Sequence, residues 1–177
     1  MEKLFNNFFA NVRKIIAPGI VCTLLFAVVS CNASKEPSVF DDDEATNVSF
    51  SEFSLSENCQ WIDIVKSTEN AIQWMNSGKM IIINSNEELK KYIECLDNNY
   101  PDIDFSKYTL LLTSGVTPNL VYRANINSFA ELSANKYRLN IEVLMTDATM
   151  IGSWTTAILV KKLSVQSEIE LNVTIKN

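Results

Sequence analysis

Tyr137-Arg138-Leu139-Asn140-Ile141-Glu142-Val143-Leu144-Met145 decides the fold class of this chain. Tyr137, Leu139, Ile141, Val143 and Met145 alternate with Arg138, Asn140 and Glu142. Successive side chains of a strand point to opposite faces, so this period of two means one face on a core and one in water. Ile169, Leu171, Val173 and Ile175 alternate with Glu168, Glu170, Asn172, Thr174 and Lys176 in the same way. Between these two strands, Trp154 to Val160 is apolar or threonine throughout and stops at Lys161-Lys162, as expected of a central strand covered on both sides.

Working back toward the N-terminus, Leu120, Tyr122, Ala124 and Ile126 alternate with Arg123, Asn125 and Asn127, after the turn residues Ser114-Gly115 and Pro118-Asn119. Thr109–Thr113, Met80–Ile83 and Gln60–Val65 read as three further strands, which makes about seven. One helix interrupts the series. Ser85 and Glu88 have the spacing of a capping box, and Leu89, Tyr92, Ile93 and Leu96 fall at i, i+3, i+4 and i+7 as one packing stripe. Asn98-Asn99 and Pro101 end it. Short strands in near sequential order with a single helix predict a mainly β (α+β) domain: an antiparallel β-sandwich or rolled sheet whose helix covers one edge or face. A doubly wound parallel fold would need several more helices.

The N-terminal residues have another character. Lys3, Arg13 and Lys14 precede an apolar run from Ile15 to Val29, shorter than the roughly 20 residues that span a bilayer. Val28-Val29-Ser30-Cys31 closes this run and resembles the lipobox of bacterial lipoproteins. The resemblance implies a signal peptide over residues 1–30, cleavage between Ser30 and Cys31, and fatty acid on the Cys31 thiol as the membrane anchor. Asn32 is not the aspartate associated with inner-membrane retention, which permits the outer membrane; the expected place is the cell envelope, lipid-anchored at the outer membrane on its periplasmic face or at the cell surface. Residues 31–57, with the run Asp41-Asp42-Asp43-Glu44 and a serine-rich segment, read as an acidic tether. The globular domain is expected over 58–177.

The chain carries a net charge of −6. Residues 1–30 hold three basic and one acidic side chain, so residues 31–177 have 12 Lys+Arg against 20 Asp+Glu, a net −8. Such a surface repels phosphate backbones, which argues against nucleic acid as a partner.

Met80-Ile81-Ile82-Ile83-Asn84-Ser85-Asn86-Glu87-Glu88-Leu89-Lys90-Lys91-Tyr92-Ile93, followed by Ile103-Asp104-Phe105-Ser106-Lys107-Tyr108-Thr109-Leu110-Leu111-Leu112 and Gly115, resembles the C-terminal domain of the PrcB-like protease-complex subunit family. The resemblance extends over about residues 80–143. Family members carry a glycine pair before the tyrosine of the next strand, where this chain has Thr117-Pro118-Asn119-Leu120-Val121-Tyr122. The family implies an accessory subunit that assembles with or stabilises another protein, and it brings no catalytic residues with it.

There is no histidine, which excludes Ser-His-Asp and Cys-His activation and H-E-x-x-H zinc chemistry. Four glycines form neither a P-loop nor a dinucleotide fingerprint, so no cofactor is expected. Ser133-Ala134-Asn135-Lys136 matches S-x-x-K, but that chemistry needs a helix, and here an alternating strand comes next. No catalytic residue and no metal ligand set is assigned, and the chain is read as not an enzyme. Asp104-Phe105 reads as a strand-start corner, with the carboxylate on local backbone N–H groups and the ring in the core.

With Cys22 expected to leave in the signal peptide and Cys31 to take lipid, Cys59 and Cys95 remain as thiols in an expected oxidising compartment. They either form a disulfide or, for Cys95, supply a small buried thiol beside the helix stripe. Trp61 and Trp154 sit in strand patterns and fill a core more often than they stack on sugars. Trp74-Met75, before Asn76-Ser77-Gly78, and Met150-Ile151, at a loop tip, are the candidates for partner contact. These readings lead to the expectation of a lipid-anchored, non-catalytic envelope protein that binds a partner protein. Carbohydrate or another adhesion ligand is the alternative partner.

Overall fold

The computed structural model of the chain describes residues 45–62 and 75–177. Among them are ten strands and one short helix: β1 (Thr46–Asn47), β2 (Phe50–Glu52), β3 (Cys59–Trp61), β4 (Lys79–Ile83), α1 (Asn86–Leu89), β5 (Ile93–Cys95), β6 (Tyr108–Thr117), β7 (Val121–Ser133), β8 (Lys136–Met145), β9 (Gly152–Lys161) and β10 (Glu168–Lys176). Two four-stranded sheets, ordered β1-β7-β8-β10 and β2-β9-β6-β4, face each other, and β3-β5 forms a separate pair. The mainly β sandwich class expected from the sequence is what the chain forms.

β6 explains the layering. Leu111 belongs to the core between the two sheets, with Phe129, Leu139, Ile141, Val143, Trp154, Ile158 and Val160. Leu110 and Leu112 point the other way, onto Ile83, Leu89, Ile93, Cys95, Ile103 and Ala157. The second sheet is thus covered on both faces, by its partner sheet on one side and by α1 and β3-β5 on the other. Hence β6 and β9 read as near-continuous apolar runs instead of alternating ones.

β8 and β10, by contrast, cover only one face and alternate. They pair in parallel, Glu168 opposite Lys136 through Lys176 opposite Leu144, which corrects the expectation of a purely antiparallel sandwich. The cause is topological: the chain leaves β8 for β9 in the facing sheet and returns in the original direction, so no crossover helix is needed.

Four more expectations are corrected. Ser114-Gly115 is not a turn but lies inside β6, where Gly115 pairs with Trp154. A Cβ at Gly115 would come 2.7 Å from the Trp154 indole, so the glycine provides the seat for that ring. The helix keeps the cap half of its capping box, since the Ser85 hydroxyl accepts from Glu88 N at 3.1 Å, while the Glu88 carboxylate accepts one residue before the cap, from Asn84 N at 3.1 Å. It ends after Leu89, however, and Ile93-Glu94-Cys95 becomes β5, with Cys95 opposite Cys59 and Leu96 85% exposed.

Buried, exposed, buried along β5 is a period of two, and pairing with β3 wins over the 3.6-residue stripe. The domain also begins before residue 58. β1 pairs with β7 and β2 with β9, so residues 46–52 of the expected tether include sandwich strands. Finally, Tyr122 leaves the alternation of β7. Val121 pairs with Met145 and Arg123 with Leu144, which makes Tyr122 the extra residue of a bulge and turns it to solvent.

Candidate functional site

One end of the sandwich is built from the β6–β7 connection (residues 118–120) and the β8–β9 connection (146–151). Their backbones are tied to each other. Thr146 N donates to Leu120 O at 2.8 Å, Leu120 N to Ala148 O at 3.2 Å and Met150 N to Ala148 O at 2.8 Å. Side chains complete the lattice: Thr117 Oγ1 donates to Asn119 O at 2.7 Å and Asn119 Nδ2 to Thr146 O at 3.2 Å, while Thr146 Oγ1 accepts from Ala148 N at 3.3 Å.

Gly152 makes this approach feasible. A Cβ there would meet Asn119 O at 2.6 Å and Val121 N at 2.8 Å, so no other residue fits without moving one of the loops.

On this framework stand Met150, 60% exposed, Ile151, 67%, and Tyr122, 75%. Met75 joins the same end of β6 by a parallel bridge to Val116, whose other neighbour is Ser153 of β9. Asn76, in the left-handed region at φ 63°, donates its N–H to Val116 O at 3.2 Å and turns the chain toward β4. Of the candidate contact residues, Met150 and Ile151 are exposed as expected and Met75 is half-buried nearby. Trp74 lies outside the described residues, as do Ser30, Cys31, the run Asp41–Glu44 and residues 63–65 of the expected strand Gln60–Val65.

Tyr122 is the member of this patch that sequence reading missed. Its alternation with Arg123 signals a buried side chain, and nothing in the local sequence marks the bulge. Arg123 and Asp147 are exposed at the same end. The three apolar side chains bring no nucleophile and no acid–base pair, so what this surface offers is apolar contact.

The other candidate residues resolve into structural roles. Cys59 and Cys95 form a disulfide between directly opposed positions of β3 and β5. Ser133 and Lys136 face each other across the β7–β8 hairpin, with Asn135 left-handed at the turn, so the S-x-x-K match has no helix to bring it into use. Asp102 accepts from Asn86 Nδ2 at 2.6 Å. Asp104 accepts from Ser106 N at 3.2 Å and pairs with Lys107 at 2.7 Å; the Lys107 ammonium, then the Ser106 hydroxyl, hold its carboxyl down at about 2. Phe105 packs on the core that α1 covers, as the corner reading requires. Among the described residues no cluster of three or more Cys, Asp or Glu could hold a metal ion, and no helix is long and apolar enough to cross a membrane.

A concavity of about 410 Å³ opens where β2 leaves β9 after Phe53. Trp61 and Phe53 line it edge to face at 6.1 Å, with Glu52, Gln60, Thr155 and Thr156 as polar neighbours. Trp154 is buried as expected, whereas Trp61 is only half-buried and forms a wall of this groove.

No family model matches the sequence, and neither the curated proteins nor the solved structures contain a match to this chain.

Proposed function

We propose that this chain is a non-catalytic lipoprotein of the bacterial envelope, anchored through lipid on Cys31, whose sandwich docks a partner protein by the end that carries Tyr122, Met150 and Ile151. The observation behind this reading is the exposure of three large apolar side chains on loops whose backbone groups are already satisfied by one another. Folding does not require those side chains to be apolar, and binding does. The lipobox resemblance, the absence of histidine and the PrcB-like stretch support the same reading.

Co-purification from membranes solubilised in mild detergent tests it. The full chain should bring down a stoichiometric partner, and the pair Met150→Asp and Ile151→Asp should lose that partner while the melting temperature stays unchanged. A chain that always purifies free of other proteins would overturn the docking role. Mass spectrometry of the native protein should find an acylated Cys31 as the N-terminal residue, and an unmodified thiol there would overturn the anchor.

The groove beside Trp61 favours a second reading, a glycan- or adhesion-ligand-binding module, because an aromatic wall with flanking amide, carboxylate and hydroxyl groups suits a sugar ring. That reading stands if an oligosaccharide array gives a signal that Trp61→Ala abolishes and Met150→Asp leaves intact.

A further inference from the structure

Four strands lie outermost in the two sheets, and three of them are short, covering two residues of β7, three of β9 and five of β6. β1 has two residues, β2 three and β4 five. β10 has nine, paired with β8 from Glu168 to Lys176 with no break in register, and it contains neither proline nor a bulge. Among the described residues no strand lies on its outer side. A long, flat edge invites another strand, and sheets normally blunt such edges. The inward side chains Ile169, Leu171, Val173 and Ile175 are only half-covered, although they pack on the core between the sheets.

The outward row shows what would fit. From the N-terminal end it reads Glu168, Glu170, Asn172, Thr174, Lys176, acidic at one end and basic at the other, with Glu168, Glu170 and Lys176 also paired to Lys136, Arg138 and Glu142 of β8. We propose that two copies of the chain join antiparallel through β10, about a two-fold axis at Asn172, so that the β1-β7-β8-β10 sheets merge into one of eight strands. In this register Glu168 faces Lys176 of the partner subunit and Glu170 faces Thr174 of the partner subunit. On the inner face Ile169 meets Ile175 of the partner subunit, and Leu171 meets Val173 of the partner subunit.

All nine residues pair, and every side chain stays on its own face. Sliding by two residues either way leaves Lys176 or Glu168 without a facing residue in the partner strand. An in-register parallel pair would stack Glu168 on Glu168 and Lys176 on Lys176, so the charge row selects a closed dimer over an open stack.

Polar continuity points the same way. Asn140 Nδ2 donates to Ser128 Oγ at 2.8 Å and Asn172 Nδ2 to Asn140 Oδ1 at 2.9 Å, a row running outward across the sheet to the axis position. The dimer does not depend on the docking end of the sandwich, because β10 and the Tyr122–Met150–Ile151 patch share no residue.

Sedimentation equilibrium of the full chain in mild detergent, with the detergent density-matched, is the test. The expected protein mass is twice that of one chain. Glu168→Lys alone and Lys176→Glu alone each put like charges face to face twice per dimer and should raise the dissociation constant by about tenfold or more. The double variant Glu168→Lys/Lys176→Glu, made together with Lys136→Glu and Glu142→Lys so that both side chains keep opposite charges on β8, restores opposite charges across the axis and should recover the dimer. Asn172→Asp, nearly isosteric, should weaken it by placing two carboxylates at the axis. A monomer at every concentration up to the solubility limit, a dimer indifferent to both single variants, or a double variant no better than the singles would each overturn the proposal. The Met150→Asp/Ile151→Asp chain should dimerise like the natural one, which separates failure here from failure of the docking surface.

Discussion

From Tyr108 onward the chain forms strands of nine to thirteen residues, whereas residues 45–95 contribute strands of two to five. Long strands hold themselves in register through many successive rungs, each flanked by cross-strand side-chain pairs. Short ones cannot, and here discrete links do that work: the Cys59–Cys95 disulfide, the α1 cap, and Asn86, whose amide both donates to Ile103 O at 3.1 Å and accepts from Ile103 N at 3.2 Å. One region is stabilised by distributed packing and the other by a few placed bonds.

Removing the disulfide with Cys59→Ser/Cys95→Ser tests that contrast most strongly. Closing a loop across a separation of 36 residues is worth about 4 kcal/mol in the chain-entropy account. The urea midpoint should fall accordingly, and hydrogen exchange should quicken more at Gln60 and Glu94 than at Leu139 to Val143. Equal loss of protection in both regions would break the contrast, since the short strands would then belong to the same cooperative unit as the sandwich.

Leu111→Ala strikes the other region. Leu111 is fully buried on β6 between the two sheets, and its truncation should cost about 3 kcal/mol, read from the urea midpoint. Protection should drop throughout, because β6 touches both cores. The asymmetry sharpens the comparison: a core lesion spreads, whereas a lost link stays local.

Asn86→Ala should cost about 2 kcal/mol, since it leaves the N–H and the carbonyl of buried Ile103 without their side-chain partner. Asn86→Asp keeps the acceptor for Ile103 N but sets a carboxylate against Ile103 O and the Asp102 carboxylate, so it should recover none of the loss at neutral pH.

The same contrast governs what could be read in the sequence. Six of the seven expected strands lie where strands occur, because each carries a period-2 or continuous apolar signal long enough to register; of Gln60–Val65 only Gln60 and Trp61 fall in a strand, and residues 63–65 lie outside the described residues. β1, β2 and β5 carry no such signal. The first two are two and three residues long, in a serine-rich stretch whose only apolar marks are single residues such as Val48 and Phe50. In β5, Ile93 satisfies two periods at once, and only the partner strand and disulfide decide between them.

The candidate site was half legible. Met150 and Ile151 stand out as apolar residues at a loop tip, but Tyr122 depends on a bulge that arises from how β7 meets β8, a property of the pair and not of either strand. Likewise Gly115 and Gly152 resemble turn glycines until the Trp154 ring and the Asn119 carbonyl are seen against them.

The smallest expected effect lies at the boundary between the regions, where Asp104-Phe105-Ser106-Lys107 leads into β6. The Asp104 carboxyl, ordinarily near 3.8, is held at about 2 by Lys107 and Ser106, so its folded value lies below its unfolded one. A depressed carboxyl stabilises the fold above its unfolded value, and that contribution is lost as pH falls from about 4 through about 2.

Asp104→Asn keeps an acceptor for Ser106 N but no charge for Lys107. The natural chain should therefore exceed the variant in stability at pH 6 and converge with it only below pH 2, in paired urea titrations. The gap should be smaller than that of Asn86→Ala, because the pair is exposed to water, and it should narrow further in high salt. A gap as large as the Asn86 effect, insensitive to salt, would mean that this exposed corner fixes the start of β6 as firmly as the placed bonds fix the short strands, and the boundary between the two modes of stabilisation would have to move into β6.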